Sequence, residues 1–471
     1  MRLLRRGERD FLIVDENAGV GGTWWVNRYP GCGCDVQSHL YSLSFAPRPD
    51  WTRHFAGRDE IQAYLEDCVD ADGLGPHLRL GTRIVRAEWD AQAALWRVWD
   101  QHGTERTARL LIPALGGLSR PNVPDIPGLE HFSGRVIHSQ QWPDDLVVEG
   151  QRVAVIGTGA SAIQFIPEIQ PRVARLDVYQ RTPPWILPKP DRPIGPLRRR
   201  LYRAFPPARL AVRLAIYSLL EMRLPAFNRF PALSAWHRRR ARRLLARQVP
   251  DPALRQKLTP DYAMGCKRVL MSNDYYPALT GSNTSLIDGA ASAIEADAVI
   301  DAKGVSRPTD LIIFGTGFEA TAPVPAGMIL GRQGQDLAEV WQQGPFAYKG
   351  TAVPGFPNLL MLLGPNTALG HNSVILMIES QIRYILEALD YIDQQSIDRL
   401  EVTREATRTW DHDVQQKLTG TVWNAGGCAS WYLHPESGRN TTLWPASTLN
   451  FRFQTRSFDP QAFDLSQRET G

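Results

Sequence analysis

The run Arg152-Val-Ala-Val-Ile156-Gly157-Thr-Gly159-Ala-Ser-Ala162 decides the fold. Val153 to Ile156 is a short unbroken apolar segment, the pattern of a parallel strand covered on both faces. Gly157 to Ala162 follows as GxGxxA, and from Ile163 the spacing turns helical. Strand, glycine turn and helix in that order aim backbone N–H groups and the positive end of a helix at a pyrophosphate. Gly157, Thr158, Gly159, Ala160, Ser161 and Ala162 are therefore candidate cofactor contacts. The next strand, Leu176 to Tyr179, ends in Gln180-Arg181-Thr182, where an NAD-binding unit carries an acid. A guanidinium there binds a 2′-phosphate that a carboxylate would repel, so Arg181 and Thr182 point to NADPH.

A second unit begins near the start of the chain. Phe11-Leu-Ile-Val14 is a short apolar strand ending in Asp15, the position of a ribose-binding acid. Its Gly-rich loop belongs roughly 20 residues upstream, where the sequence holds only Met1 to Gly7, read as the end of a helix. The expectation is a misassigned start site or a truncated gene, with a central strand and its phosphate cradle missing.

With 471 residues, 43% of them hydrophobic, the chain has material for two or three packed domains. Five cysteines, odd in number and scattered, argue for reduced thiols in a cytoplasmic setting; Cys32-Gly-Cys34 is read as incidental, and no metal is expected. No stretch has the length and apolarity of a signal peptide or membrane span, and no nucleic-acid partner is expected. Charge is unevenly spread. Between Arg198 and Lys257 there are sixteen Arg and Lys against two acids, so a net +4 chain carries fourteen surplus positive charges in this block and about −10 elsewhere. The block reads as a solvated helical insert, with an anionic partner or membrane surface as the alternative. Its Leu210, Leu214, Tyr217 and Leu220 recur at helical spacing, interrupted by Arg213, and are expected to pack.

The segment joining the two units, Phe132-Ser-Gly-Arg-Val-Ile-His-Ser-Gln-Gln-Trp142-Pro, places Phe132, Gly134, His138 and Trp142 in the pattern FxGxxxHxxxW. That pattern resembles the fingerprint of type I Baeyer–Villiger monooxygenases. Gly21-Gly-Thr-Trp-Trp-Val-Asn-Arg-Tyr-Pro-Gly31 with Cys34-Asp35 is similar to another segment of the family, where glycines let backbone approach a flat ring and aromatic residues stack on it. The resemblance implies FAD contacts from Thr23, Trp24, Trp25, Val26, Asp35, Tyr41 and Val374, and places Gly33 and Cys34 near the nicotinamide cofactor. It also pairs Lys267 with Arg181 on the phosphate and makes Trp431 a cofactor contact. Arg268 is the implied catalytic residue, stabilising negative charge on a C4a-peroxyflavin and on the adduct with the ketone, with Asp35 orienting it. Ala114-Leu115-Gly116 and Gly315 depart from the family's ATG and ATGF turns.

The fold class expected is α/β, with two Rossmann-like dinucleotide-binding domains, for FAD and NADPH, and a helical insert. The implied layout is 1–145 and 321–471 for FAD, 146–194 and 261–320 for NADPH, and 195–260 for the insert. The implied reaction is Baeyer–Villiger oxidation, in which one oxygen of O2 enters beside a ketone carbonyl to give an ester or lactone. N- or S-oxygenation of a heteroatom substrate is the enzymatic rival. A degenerate, non-catalytic nucleotide-binding protein is the other, favoured by the absent first Gly-rich loop.

Overall fold

The computed structural model describes residues 1–228 and 233–467. Five parallel strands form its central sheet, in the spatial order Thr284–Asp288, Arg175–Gln180, Arg152–Ile156, Leu311–Phe314 and Arg135–His138. Val153, Val155, Leu311 and Ile313 are buried in one core with Phe165, Ile166 and Ile169 of the helix Ala162–Ile169. From Arg152–Ile156 the chain moves to one side of the sheet, and Leu311–Phe314 lies on the other. Their carboxyl ends thus open a crevice at the switch point, where open α/β sheets bind ligands. Gly157 sits there at φ 107, and a Cβ on it would lie 2.5 Å from the carbonyl oxygen of Gly315. Only glycine meets both the backbone angle and the contact.

Arg135–His138 pairs in register with Leu311–Phe314 and is an edge strand of this sheet. The NADPH-type sheet therefore starts before residue 146, the boundary expected above. Gly134 leads into this strand, and a Cβ there would lie 2.3 Å from the carbonyl oxygen of Asp310 and 2.6 Å from the Phe132 ring.

The first unit is sparser. Ile13–Val14 pairs in parallel with Leu78–Arg79, and no other strand pairs with it among the described residues. A meander follows as Ile84–Asp90, Leu95–Asp100 and Glu105–Ala108, joined by Ile329–Leu330. The apolar run that follows Phe356 forms no strand: Leu359 makes one bridge to Leu111. Asn358 and Leu363 are both left-handed, at φ 55 and 51, which breaks the extended run at either end.

The insert is helical, with Pro196–Ala204, Pro206–Glu221, Leu224–Asn228, Ser234–Gln248 and Pro252–Lys257. One expectation fails inside it. Ile216 and Leu220 are buried and Tyr217 is half-buried, but Leu210 and Leu214 are exposed. The inward face is the one that carries Arg213, whose Nη1 donates to the carbonyl oxygens of His39 at 2.8 Å and Ser42 at 2.9 Å. The guanidinium thus finds acceptors inside, which turns the leucines on the opposite face outward. No described helix is long and apolar enough to cross a membrane.

Gly134→Ala drives its methyl into fixed backbone and is expected to destabilise the fold by about 1–3 kcal/mol. Denaturant unfolding checks this; an unchanged midpoint would remove the close approach from the account.

Candidate active site

Arg268 and Asp35, far apart in sequence, meet side by side. Arg268 Nε donates to Asp35 Oδ2 at 2.9 Å, and Nη2 donates to Oδ1 at 2.8 Å and Oδ2 at 2.7 Å. Two donors on one carboxylate fix the guanidinium plane. Each partner is positioned by its neighbours in the chain. Cys34, a buried thiol whose pKa burial raises, hooks its N–H to the Ala56 carbonyl at 3.0 Å and sets Asp35 in place. Arg268 precedes the strand Leu270–Met271, which pairs in parallel with Ile186–Leu187. The proline-rich stretch from Pro183 to Pro193 therefore contributes a strand that holds the arginine. The charge of Asp35 raises the already high pKa of Arg268, so the cation persists at any working pH. Tyr432, buried beside both charges, is pushed up to about 12 by burial and stays a neutral hydroxyl.

The pair opens onto a cleft of about 810 Å³, open solvent at its mouth included. Its walls are largely apolar, with Leu220 and Phe227 from the insert facing Met264, Val269 and Leu369. Arg223 and His237 line its other side, where burial and then Arg223 lower the pKa of His237.

The expectation of free thiols throughout is overturned, because Cys266 is bonded to Cys428. The returning C-terminal segment lies against residues 263–266, with the Ala263 N–H donating to the Gly426 carbonyl at 3.1 Å, and this brings the two sulfurs together. Cys32, Cys34 and Cys68 are free.

On the nucleotide side, Arg181 is exposed and Lys267 half-buried. No described carboxylate forms an ion pair with either. Burial and then the charge of Arg181 lower the pKa of Lys267. Asp261 lies near enough to raise the Lys267 pKa in part but forms no ion pair with it, and two cations held near each other fit a 2′-phosphate. Thr158 Oγ1 donates to the Thr182 carbonyl at 3.3 Å, tying the glycine turn to the strand end that carries Arg181. Together with the Gly157 turn, this donor set fits NADPH.

Asp15 Oδ1 accepts from the Asn17 N–H at 2.9 Å and from Asn17 Nδ2 at 2.8 Å. Thr23–Val26 forms one short helix after Gly21 and Gly22, both at positive φ. Trp24 Nε1 donates to the Tyr41 hydroxyl at 3.3 Å, and the two rings meet edge to face. The helix Val374–Gln395 starts nearby in sequence order after Ser373, which is fully buried and whose Oγ has no hydrogen-bond partner. An orphaned hydroxyl beside free N–H groups at a helix start fits the polar edge of a flavin. Trp431 is exposed and touches Tyr432, with ring centroids 4.7 Å apart.

Within the fingerprint, the Gln140 N–H donates to His138 Nδ1 at 3.2 Å and His138 Nε2 donates to the Gly317 carbonyl at 3.1 Å. Burial lowers the pKa of His138 and keeps it neutral. Trp142 packs on Phe165 at 5.5 Å. The fingerprint therefore ties the edge strand to the turn at Gly317 and to the nucleotide helix.

Three residues escaped sequence reading. Gln164, on the nucleotide helix, accepts from the Tyr29 hydroxyl at 2.9 Å and donates to the Gly33 carbonyl at 2.9 Å, joining the two units. Glu221 accepts from Asn372 Nδ2 at 2.8 Å and Thr448 Oγ1 at 2.6 Å, and lies 3.5 Å from His371 Nε2. Tyr432 is the third. Gln164 belongs to no motif; Glu221 had a signal as one of two acids in a basic block, and Tyr432 as the neighbour of Trp431.

Residues 39–205 match the family model described as Flavin-binding monooxygenase-like. A Baeyer-Villiger monooxygenase of Pseudomonas aeruginosa is 52% identical over 99% of this chain and 88% of its own length. Another, of Streptomyces coelicolor, is 46% identical over 98% and 88%. Among solved structures, cyclohexanone monooxygenase from Rhodococcus sp. Phi1 bound to NADP+ superposes with a TM-score of 0.86 at 27% identity, covering 97% of this chain and 94% of that one. The OTEMO complex with FAD and NADP gives 0.87 at 25%, covering 98% and 96%.

Thiol titration of the unfolded protein without reductant should read three free cysteines, rising to five after reduction. Five from the outset would contradict the bond between Cys266 and Cys428.

Proposed function

This chain belongs to the Baeyer–Villiger monooxygenases, and we propose the residue roles by which it turns ketone, O2, NADPH and a proton into ester or lactone, NADP+ and water. The observation that carries the reading is the two-pronged pair of Arg268 and Asp35 on the wall of an apolar cleft. When bound, FAD takes hydride from NADPH and activates O2.

Thr23 to Val26, Asp35, Tyr41 and the helix start at Val374 hold the flavin ring, and Asp15 holds ribose hydroxyls. Gly157 to Ala162 cradle the NADPH pyrophosphate, while Arg181 and Lys267 grip its 2′-phosphate; Thr182, Gly33, Cys34 and Trp431 complete that side. Arg268 acts on the substrate. Its fixed positive charge faces negative charge building on the carbonyl oxygen as the carbon is attacked, and in a largely apolar cleft that attraction is weakly screened. Asp35 holds the guanidinium plane, so little reorganisation is needed at the moment of reaction. Leu220, Phe227 and Leu369 exclude water and accept a hydrophobic ketone. The domain layout given above is kept, with the NADPH-type sheet extended to Arg135. Dependence on NADPH supports a cytoplasmic setting.

Arg268→Ala should lower product formation roughly a hundredfold to a thousandfold while hydride transfer from NADPH is kept. Stopped-flow absorbance beside product chromatography separates the two, and unchanged product yield would remove Arg268 from the chemistry. Lys267→Gln should raise KM for NADPH about tenfold or more and leave KM for NADH unaltered. The pKa of Lys267 is lowered, so its charge is lost at a lower pH than for an ordinary lysine. KM for NADPH should therefore climb as pH rises through that value, and Lys267→Arg should flatten the climb.

A further inference from the structure

The helical insert shows the surface an interfacial helix shows. Along Pro196–Ala204 and into the next helix, Leu197, Leu201 and Phe205 follow one another at intervals of four and are 79%, 50% and 55% exposed. The outward face of Pro206–Glu221 adds Leu210, Leu214 and Leu219, all exposed, and Met222 follows at 66% exposure. Ala211, Ala215 and Ser218 fill the same face, which holds no charged residue, because Arg213 is turned inward onto the His39 and Ser42 carbonyls. Nine of the large apolar residues that the described surface exposes fall between Leu197 and Trp236. A soluble monomer rarely leaves that much apolar surface in one short stretch without a partner.

The charge of the insert selects the partner. Of the insert's two acids, Glu221 is engaged by Asn372 and Thr448, and Asp251 caps the helix Pro252–Lys257. Among the described residues, Arg203 is the insert's one cation with a carboxylate partner, Asp50 at 3.1 Å. Arg198, Arg200, Arg239, Arg242 and Arg243 project into solvent, and Arg240 lies over the exposed ring of Trp236 at 5.5 Å. Leucine, a tryptophan and unpaired arginines on short helices match an anionic lipid surface, where side-chain carbon enters the headgroup boundary and guanidinium meets phosphate. The rest of the chain, at about −10, is repelled by that surface, so the field orients the insert towards it. A second copy docked isologously on this strip would bring two blocks of like charge together. A nucleic acid would gain nothing from the uncharged face of Pro206–Glu221.

We propose that the helical insert is a peripheral docking surface for an anionic phospholipid bilayer. The contact lies on the interface without crossing it, in keeping with the absence of a spanning helix among the described residues. The proposal stands apart from the oxygenation chemistry and uses none of its residues.

Co-sedimentation of the full chain with vesicles tests it. The protein should pellet with vesicles of phosphatidylglycerol and phosphatidylcholine, remain in solution with phosphatidylcholine alone, and be released as salt rises. Arg198→Gln and Arg200→Gln should each weaken the partition about fivefold. Leu201→Ser and Leu214→Ser, both exposed and compatible with an unaltered thermal melt, should each weaken it about tenfold. Failure to pellet with anionic vesicles overturns the proposal. So does binding to vesicles and heparin alike that the leucine variants leave intact, the mark of a polyanion surface. A dimer in sedimentation velocity that Leu214→Ser dissociates also overturns it, in favour of a second copy.

Discussion

Arg268 and Asp35 hold each other through two parallel hydrogen bonds, and much of the molecule serves to bring them together. Asp35 belongs to the loop that follows the glycine and tryptophan run of the first unit. Arg268 belongs to the second, on a segment held by the strand pair Leu270–Met271 and Ile186–Leu187 and by the bond from Cys266 to Cys428. An ion pair reaching across two units in a half-covered cleft is costly to break, since either charge left alone keeps its desolvation penalty. The pair thus locks the relative placement of two nucleotide folds and leaves a permanent cation facing the cleft.

Other contacts reinforce the same junction. Gln164 reaches from the nucleotide helix to the Gly33 carbonyl, two residues before Asp35. His138 spans the fingerprint and the Gly317 turn as a neutral imidazole. Arg213 clamps the insert on the loop from His39 to Ser42, and Glu221 ties it to Asn372, just ahead of the helix that begins at Val374. The insert is consequently both a wall of the cleft and an outward surface, with one face of a single helix doing each.

What could be read from sequence was what chemistry ties to short spacing. The turn at Gly157, the arginine in place of an acid at Arg181, and Asp35 and Arg268 each sit in a motif whose neighbours fix the local backbone; the structure places Gly157 against Gly315 at the switch point and pairs Arg268 with Asp35. What could not be read depended on distant partners. Cys266 and Cys428 are 162 residues apart, and an odd number of scattered cysteines gave no reason to pair them. Leucines occur on both faces of Pro206–Glu221, so spacing could not say which face packs; the carbonyls waiting for Arg213 decided it. The apolar run Leu359 to Leu363 forms no strand because Asn358 and Leu363 are left-handed, which hydrophobicity does not reveal. Gln164 is an ordinary helix residue until Gly33 lies beside it.

The central claim is that Arg268 and Asp35 work as one unit in oxygen transfer, and a double-mutant cycle on kcat/KM for the ketone tests it most directly. Arg268→Lys, Asp35→Asn and the double variant would be compared with the parent protein. The double variant should lose little more than the worse single one, because either change already spoils the same fixed cation. Losses that simply multiply would show two independent residues and contradict it.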